Sequence, residues 1–463
     1  MNSPRFDPRS FRKKYAGVLG MGKSGRAAAK LLAKNGFRVL GSDARPRSEV
    51  KTASKGLPEK VKLEGGGHSD RLLECAFVVK SPGLKPDLPI FGKLAAKGIA
   101  VYSELEVALA FSKAKEIVAV TGTNGKSTTT QLTYEIFKIG LPRGRKAVLG
   151  GNIGVPVSAT APAAKAADAL IIEASSYQLE DCAHFEPRAA AVLNITADHL
   201  DHHGSMATYV AAKAKIFRAQ DADDVCVFNA DDPLVFKLSR ECPSQRLYFG
   251  TKGPHVHAWA ENGRLMFKLP RWKKPVALLP PRLPGRHNLE NALASGLLAL
   301  ARGIKSTAVQ KAFKRFRGVE HRIEECGSAR GVRCVNDSKA TNVDSTLVAL
   351  RAFEPVGKRI LLILGGLHKG SPYTVLRPCL DRTVKGVLTI GAAARRIEED
   401  LSGAVPIFPC GDLSTAVDTA LRIAEKGDIL LLSPACASFD QFKDFEDRGR
   451  RFKALIKAAA KAR

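Results

Sequence analysis

Two glycine-rich loops constrain this chain more than any other feature. Each lies between a short apolar run and a helical pattern, which reads as a strand-to-helix turn whose backbone N–H groups suit an anion. The first is Gly20-Met21-Gly22-Lys23-Ser24-Gly25, after YAGVLG and before RAAAKLLAKNG. Asp43 ends the next apolar run, 18 residues beyond the last glycine. This spacing predicts a dinucleotide-type unit: glycines for close backbone approach, a helix N-terminus for phosphate and an acid for a ribose hydroxyl. Taken alone it leaves open an NAD site, another nucleotide-linked ligand and a plain tight turn.

The second loop decides more. Val120-Thr121-Gly122-Thr123-Asn124-Gly125-Lys126-Ser127-Thr128 follows EIVAV and opens STTTQLTYEIFK. Gly125-Lys126-Ser127 is the working end of a P-loop: backbone N–H groups cradle phosphates, the lysine reaches the terminal phosphates and the serine hydroxyl serves Mg²⁺. Val120 stands where the longer GxxxxGK[ST] pattern has glycine, so the loop is a shorter form. A chain with both loops is not a simple dehydrogenase.

The 463 residues suggest about three domains. With 45% hydrophobic and 25% charged residues the chain is too apolar to be disordered. No run reaches the roughly 18 apolar residues that span a bilayer. The start, MNSPRFDPRSFRKKY, lacks an apolar stretch behind its basic residues, so no secretory signal is expected. Nine scattered cysteines without a CxxC pair point to reduced thiols in a cytoplasm, not to a disulfide framework or a structural zinc. The net charge of +28, from 73 basic and 45 acidic residues, raises the question of nucleic acid. The basic residues are spread along the chain and no nucleic-acid motif accompanies them, so no specific nucleic-acid partner is expected. Their densest tract is the last sixteen residues, with seven basic and no acidic side chains.

Short apolar runs alternate with helical patterns, which predicts βαβ units and parallel sheets. The runs lie at 15–20, 37–43, 75–83, 116–122, 167–175, 189–196, 224–230, 359–366, 386–391 and 428–434. The stretch 245–285, richer in Pro and Trp, reads as a small β excursion, and domain boundaries fall near 104 and 318. Many runs end in Gly, Asp, Asn, Glu, Ser or Thr, and open α/β sheets bind ligands beyond the carboxyl ends of their strands. Glu173 ends one such run, and Asn194 and His199 follow another in LNITADHLDHH. A histidine in that acid-rich loop suits a ligand role. In the predicted helix 207–219, Lys213 shares the apolar stripe of Met206, Tyr209, Val210, Ile216 and Phe217, so it points inward, while Lys215 points away.

The order of motifs along the chain resembles the Mur ligases, the ATP-dependent amide ligases that build the peptide of peptidoglycan. The motifs are GMGKSG, SPG (81–83), TGTNGKST, GGNIG (150–154), EASSYQLE (173–180), LNITADHLD (193–201), AAK (211–213), NADD (229–232), GRHNLENALA (285–294), GVEHRIE (318–324), NDSKATN (336–342) and SPACASFDQFKDFEDRG (433–449). NDSKATN and the last motif are similar to those of members that take glutamate.

The resemblance implies three α/β domains: an N-terminal Rossmann-like domain (1–104) for a UDP-linked substrate, a central P-loop-type domain (105–318) for ATP and Mg²⁺, and a C-terminal Rossmann-like domain (319–463) for the amino acid. It implies UDP-N-acetylmuramoyl-L-alanine and D-glutamate as substrates and a cytoplasmic, monomeric enzyme. Residue by residue, it assigns Lys23, Ser24, Asp43, Arg45, Gly83 and Asn152 to the UDP substrate. ATP falls to Gly122 through Thr128 (Gly122, Thr123, Asn124, Gly125, Lys126, Ser127, Thr128), with Asn288, Asn291, Arg322, Asp337 and Lys339. Two Mg²⁺ sites draw on Ser127, Glu173, His199 and Lys213, the last as a carbamate, and Lys126, His199 and Lys213 carry the catalysis. Thr341, Lys369, Ser438 and Phe445 hold the amino acid. Departures are few: His368 stands in GGLHKG where an acid is common, and Tyr177 replaces a common Phe. A ligase for another amino acid, or for polyglutamate, is the nearest alternative.

Overall fold

The computed structural model describes residues 5–8, 10–11, 14–53, 56–283, 285–368 and 370–461. The chain divides into two compact units, Met1–Pro281 with Leu289–Phe316, and Arg282–Asn288 with Arg317–Arg463. The first unit holds two sheets and the second holds one.

The first sheet is parallel throughout, in the order Val61–Gly65, Arg38–Asp43, Tyr15–Leu19, Phe77–Lys80, Val101–Ser103. The chain starts at the middle strand, winds to one side and returns to the other, so the ends of Tyr15–Leu19 and Phe77–Lys80 form the switch point where such folds bind ligands. Ser81 Oγ donates to Gly20 O across that point at 2.6 Å. The glycine spacing has a steric cause: a Cβ on Gly25 would lie 1.8 Å from Gly20 O, so only glycine lets the helix Lys23–Lys34 pack against its own entry turn.

The second sheet has nine strands: Val276–Leu278, Arg264–Phe267, Ala258–Glu261, Gln245–Phe249, Val225–Asn229, Ala189–Val192, Glu116–Thr121, Ala169–Glu173 and Ala147–Gly151. The expected β excursion is an antiparallel extension of this sheet through 258–261, 264–267 and 276–278. The central strands are buried on both faces, as their Val/Ile/Ala runs require.

In the second unit the order is Glu324–Ala329, Val332–Asn336, Ile429–Leu432, Ile360–Gly365, Val384–Ile390, Ile407–Gly411, parallel except for the first strand.

All ten apolar runs coincide with strands; nine strands are shorter than their runs by one to several residues, whereas the strand at 386–391 starts two residues earlier, at Val384. The edge strands 61–65, 101–103, 147–151, 324–329 and 407–411 were not singled out in the sequence, because short edge strands carry no long apolar run. The helix expected over 207–219 ends at Ala214. Ile216 and Phe217 remain fully buried, but their N–H groups bond three residues back, to Lys213 O and Ala214 O, which tightens the chain into turns. Lys215 is half-buried and its Nζ donates to Glu180 O.

Candidate functional site

Within the first unit, the P-loop joins the buried strand Glu116–Thr121 to the helix Lys126–Gly140. Gly125 caps the helix with φ +83°, and a Cβ there would meet Asn291 Oδ1 at 2.3 Å. The loop is held in shape from outside. Thr123 N–H donates to Asn194 O (2.8 Å), Asn124 N–H to Asn194 Oδ1 (2.7 Å), and Asn194 Nδ2 returns a bond to Asn124 O (3.1 Å). Thr123 Oγ1 lies 3.1 Å from the Tyr209 hydroxyl and accepts from Thr196 N–H at 3.0 Å. Thr129 Oγ1 donates to Asn291 Oδ1 at 3.1 Å, so Asn291 braces the helix behind the loop.

Two lysines converge on one carbonyl. Lys126 Nζ donates to Gly122 O at 2.8 Å and Thr123 O at 2.7 Å, and Lys213 Nζ donates to Gly122 O at 2.8 Å. Lys213 is 1% exposed and its Nζ lies over the Tyr209 ring, 4.5 Å from the centroid. Burial, and then the Lys126 charge, hold the Lys213 amine well below the usual lysine value. Glu173, 1% exposed, accepts from Asn152 Nδ2 at 2.9 Å through Oε1, while Oε2 is buried without a partner among the described residues. An orphaned carboxylate oxygen beside a phosphate-type loop is what a hard divalent cation fits.

His199 has the left-handed φ of +54° and starts the short helix Leu200–His203. Its ring leans on Tyr177 at 4.8 Å and its Nε2 lies 3.4 Å from Asp198 Oδ2. Burial depresses its imidazole, and the charges of Lys126 and Lys213 push the same way against Asp198. Ser127 is buried at the start of the P-loop helix.

At the first loop, Asp43 braces the backbone. Its Oδ2 accepts from Met21 N–H at 2.7 Å, and Arg45 binds both oxygens through Nε and Nη2 at 2.9 Å each. The Arg45 hydrogen bond leads in holding this carboxyl at about 2, against the pull of burial. Lys23 Nζ donates to Gly154 O at 2.5 Å, Ser24 is half-buried beside it, and Gly83 (φ +89°) is open to solvent past the switch point. Asn152 thus sits with Glu173, apart from the other residues assigned to the UDP substrate.

In the second unit, the nucleotide-side residues lie at the carboxyl ends of Val332–Asn336 and Ile429–Leu432. Asp337 Oδ2 accepts from Ser433 Oγ at 2.7 Å and Oδ1 from Ile323 N–H at 3.1 Å. Burial raises its carboxyl to about 7, with Ser433 and the nearby Arg322 charge opposing. Lys339 N–H donates to His321 O and Thr341 N–H to Lys339 O. Asn288, 8% exposed, lies in the first turn of the helix Arg286–Ala301. Ser438 is 2% exposed and Phe445 O accepts from Ser338 Oγ at 2.8 Å. Lys369 lies outside the described residues.

Two clusters escaped the sequence reading. Arg448, fully buried, donates to Ser338 Oγ, Ser338 O and Cys436 O at 3.0, 2.9 and 3.1 Å, and so ties the 336–342 loop to the 433–438 loop. Lys80 Nζ bonds Glu180 and Asp181 at 2.6 and 2.8 Å, and Glu180 Oε2 lies 2.8 Å from His202 Nε2. FEDRG carries Arg448 and QLE carries Glu180, but neither pattern indicates a distant partner.

Comparison with known proteins agrees along the chain. Residues 14–103 match the Mur ligase MurD-like N-terminal domain, 120–299 the Mur ligase middle domain and 321–436 the Mur ligase glutamate ligase domain. The UDP-N-acetylmuramoylalanine–D-glutamate ligase of Elusimicrobium minutum is 46% identical over 98% of this chain and 100% of its own. That of Anaeromyxobacter dehalogenans is 42% identical over 96% and 97%. Among solved structures, the UDP-N-acetylmuramate-alanine ligase MurC of Thermotoga maritima superposes with a TM-score of 0.62 at 21% identity, covering 96% of this chain and 100% of its own. MurF of the same organism, in complex with ADP, gives 0.60 at 18% identity, covering 98% and 97%. The chain belongs to the Mur ligase family, among its UDP-N-acetylmuramoylalanine–D-glutamate ligases.

Proposed function

We propose that this chain couples ATP cleavage to amide formation between the carboxyl of UDP-N-acetylmuramoyl-L-alanine and the amine of D-glutamate, in the cytoplasmic stage of peptidoglycan synthesis. The observation that carries the reading is the gathering of two lysines around the Gly122 carbonyl in a chain 46% identical to such a ligase. A carboxylate does not condense with an amine unaided in water. Its oxygen attacks the γ-phosphorus of ATP, ADP leaves, and an acyl phosphate forms. The amine then adds to the acyl carbon, and phosphate departs from the tetrahedral adduct with loss of a proton. The first step needs alignment and charge neutralisation more than covalent help.

Lys126, released from Gly122 O and Thr123 O, would turn to the terminal phosphates, which offer a better acceptor than two carbonyls. The unpartnered Glu173 Oε2, with Ser127 Oγ, fits one Mg²⁺, and His199 with a Lys213 carbamate fits a second. Bound there, Mg²⁺ would neutralise phosphate charge. The carbamate forms from the neutral Lys213 amine and CO₂ with loss of one proton, and burial favours that neutral amine. The rival, an ordinary ammonium pairing with Asp198, Asp201 or a phosphate, keeps the charge that burial opposes.

Asn288, Asn291, Arg322, Asp337 and Lys339 are proposed for the nucleotide, Lys23, Ser24, Asp43, Arg45, Gly83 and Asn152 for the UDP substrate, and Thr341, Lys369, Ser438 and Phe445 for glutamate. The domains are proposed as 1–104, 105–318 and 319–463, the enzyme as a monomer. The test is phosphate release with ATP, Mg²⁺ and UDP-N-acetylmuramoyl-L-alanine across D-glutamate, L-glutamate, L-alanine and L-lysine. D-glutamate alone should support turnover, and similar rates with several of them would sink the assignment.

A further inference from the structure

The loop after Ile360–Gly365 carries His368, a residue the family pattern gives no role. That strand and Ile429–Leu432 are parallel neighbours, so the loops at their carboxyl ends run side by side. Leu367 and Ala437 exchange backbone bonds, Leu367 N–H to Ala437 O at 2.8 Å and Ala437 N–H to Leu367 O at 3.1 Å. His368 is thereby pinned beside the segment that bears Cys436 and Ser438.

Its ring is fixed from one side. Nδ1 lies 2.9 Å from the Tyr373 hydroxyl, and the same hydroxyl lies 2.9 Å from Cys436 Sγ. Tyr373 is 1% exposed, Cys436 is fully buried, and Tyr373 N–H is itself anchored on Asp400 Oδ2 at 2.9 Å. The hydroxyl has one proton. If it donates to Nδ1 and accepts from the Cys436 thiol, the imidazole proton sits on Nε2. Nε2 has no protein partner among the described residues, and the ring is only partly covered. In that arrangement the buried Cys436–Tyr373 pair leaves the His368 Nε2–H as a donor at the end of the sheet where Ser438 lies.

We propose that His368 is a specificity-determining residue that donates Nε2–H to the side-chain carboxylate of the incoming amino acid. This rests on the amino-acid reading of that loop cluster given above. A fixed donor to a carboxylate favours a diacid over its amide, because the amide returns a weaker acceptor and a second donor.

The experiment measures kcat/KM of the full enzyme for D-glutamate and for D-glutamine, with ATP and UDP-substrate saturating. In His368→Ala the D-glutamate KM should rise on the order of 10-fold. The preference for D-glutamate over D-glutamine should shrink by a similar factor, with KM for ATP unmoved. Tyr373→Phe, which frees the ring, should shrink the same preference by a smaller factor, and it keeps the test open if the alanine variant melts early. An unchanged preference in either folded variant overturns the proposal. A wild type that does not use D-glutamate overturns the assigned function instead.

Discussion

Lys213 and Lys126 share an acceptor, and their charges work against each other. Burial and this neighbour both favour a neutral Lys213 amine. Lys213→Ala should therefore be nearly inactive, with activity partly restored by acetate or formate. Wild-type turnover should fall when bicarbonate is stripped. No rescue and no bicarbonate dependence would leave the ammonium form standing. Lys126→Ala should cost on the order of 10² to 10³ in rate. UDP-substrate binding, measured by calorimetry, should stay near wild type, since the residues assigned to it, Asn152 apart, surround other loops. Retention of a tenth of the activity would remove the loop from the chemistry. Asp43 serves stability. Its folded-state value of about 2 lies below the unfolded value of 3.8, so the ionised form stabilises fully above about pH 4 and that contribution drains away as pH falls toward 2. Asp43→Asn should lower unfolding free energy by about 1–3 kcal/mol at pH 7. In urea melts the gap to wild type should narrow as pH falls below 4, and a gap independent of pH would contradict the account.

At the scale of elements, the strand-to-helix turns do most to fix the sites, and glycine decides them. Gly25 packs against Gly20 O so closely that alanine cannot fit without moving the helix Lys23–Lys34. Gly25→Ala should destabilise by about 1–3 kcal/mol and weaken UDP-substrate affinity, whereas Gly22→Ala, with nothing within 4 Å of its Cβ position, should be mild. Equal melting temperatures for the two would refute the steric argument. These turns were legible because their signal is local: two or three glycines at fixed offsets from an apolar run. The shortened helix Met206–Ala214 was not legible. Its apolar stripe continues to Phe217, yet the burial of Ile216 and Phe217 is met by a tighter turn that a periodicity of 3.6 cannot distinguish.

Across the whole first unit, Lys80 links the strand Phe77–Lys80 of the first sheet to Glu180 and Asp181 beyond the second sheet's strand Ala169–Glu173, and Glu180 passes the contact to His202. The Lys80 side chain is 2% exposed, so replacing it leaves two carboxylates short of their cation. Lys80→Met should cost about 3 kcal/mol or more in a thermal or urea melt, and a loss under about 1 kcal/mol would show the pair to be dispensable. The +28 charge plays no part in this account, and no helix among the described residues is long and apolar enough to cross a membrane. The sequence by itself determined the α/β class, both glycine loops, the inward Lys213 and the family, because each rests on residues close together in the chain or on motifs in a fixed order. Only the tertiary structure decided that Asp43 bonds Met21 and Arg45, that Glu173 keeps an oxygen unpartnered among the described residues, that Arg448 ties two loops together and that His368 stands on a Tyr–Cys support. Those facts join residues between two and 110 positions apart, and their side-chain directions are set by packing and by which neighbours exclude water. No local pattern encodes that.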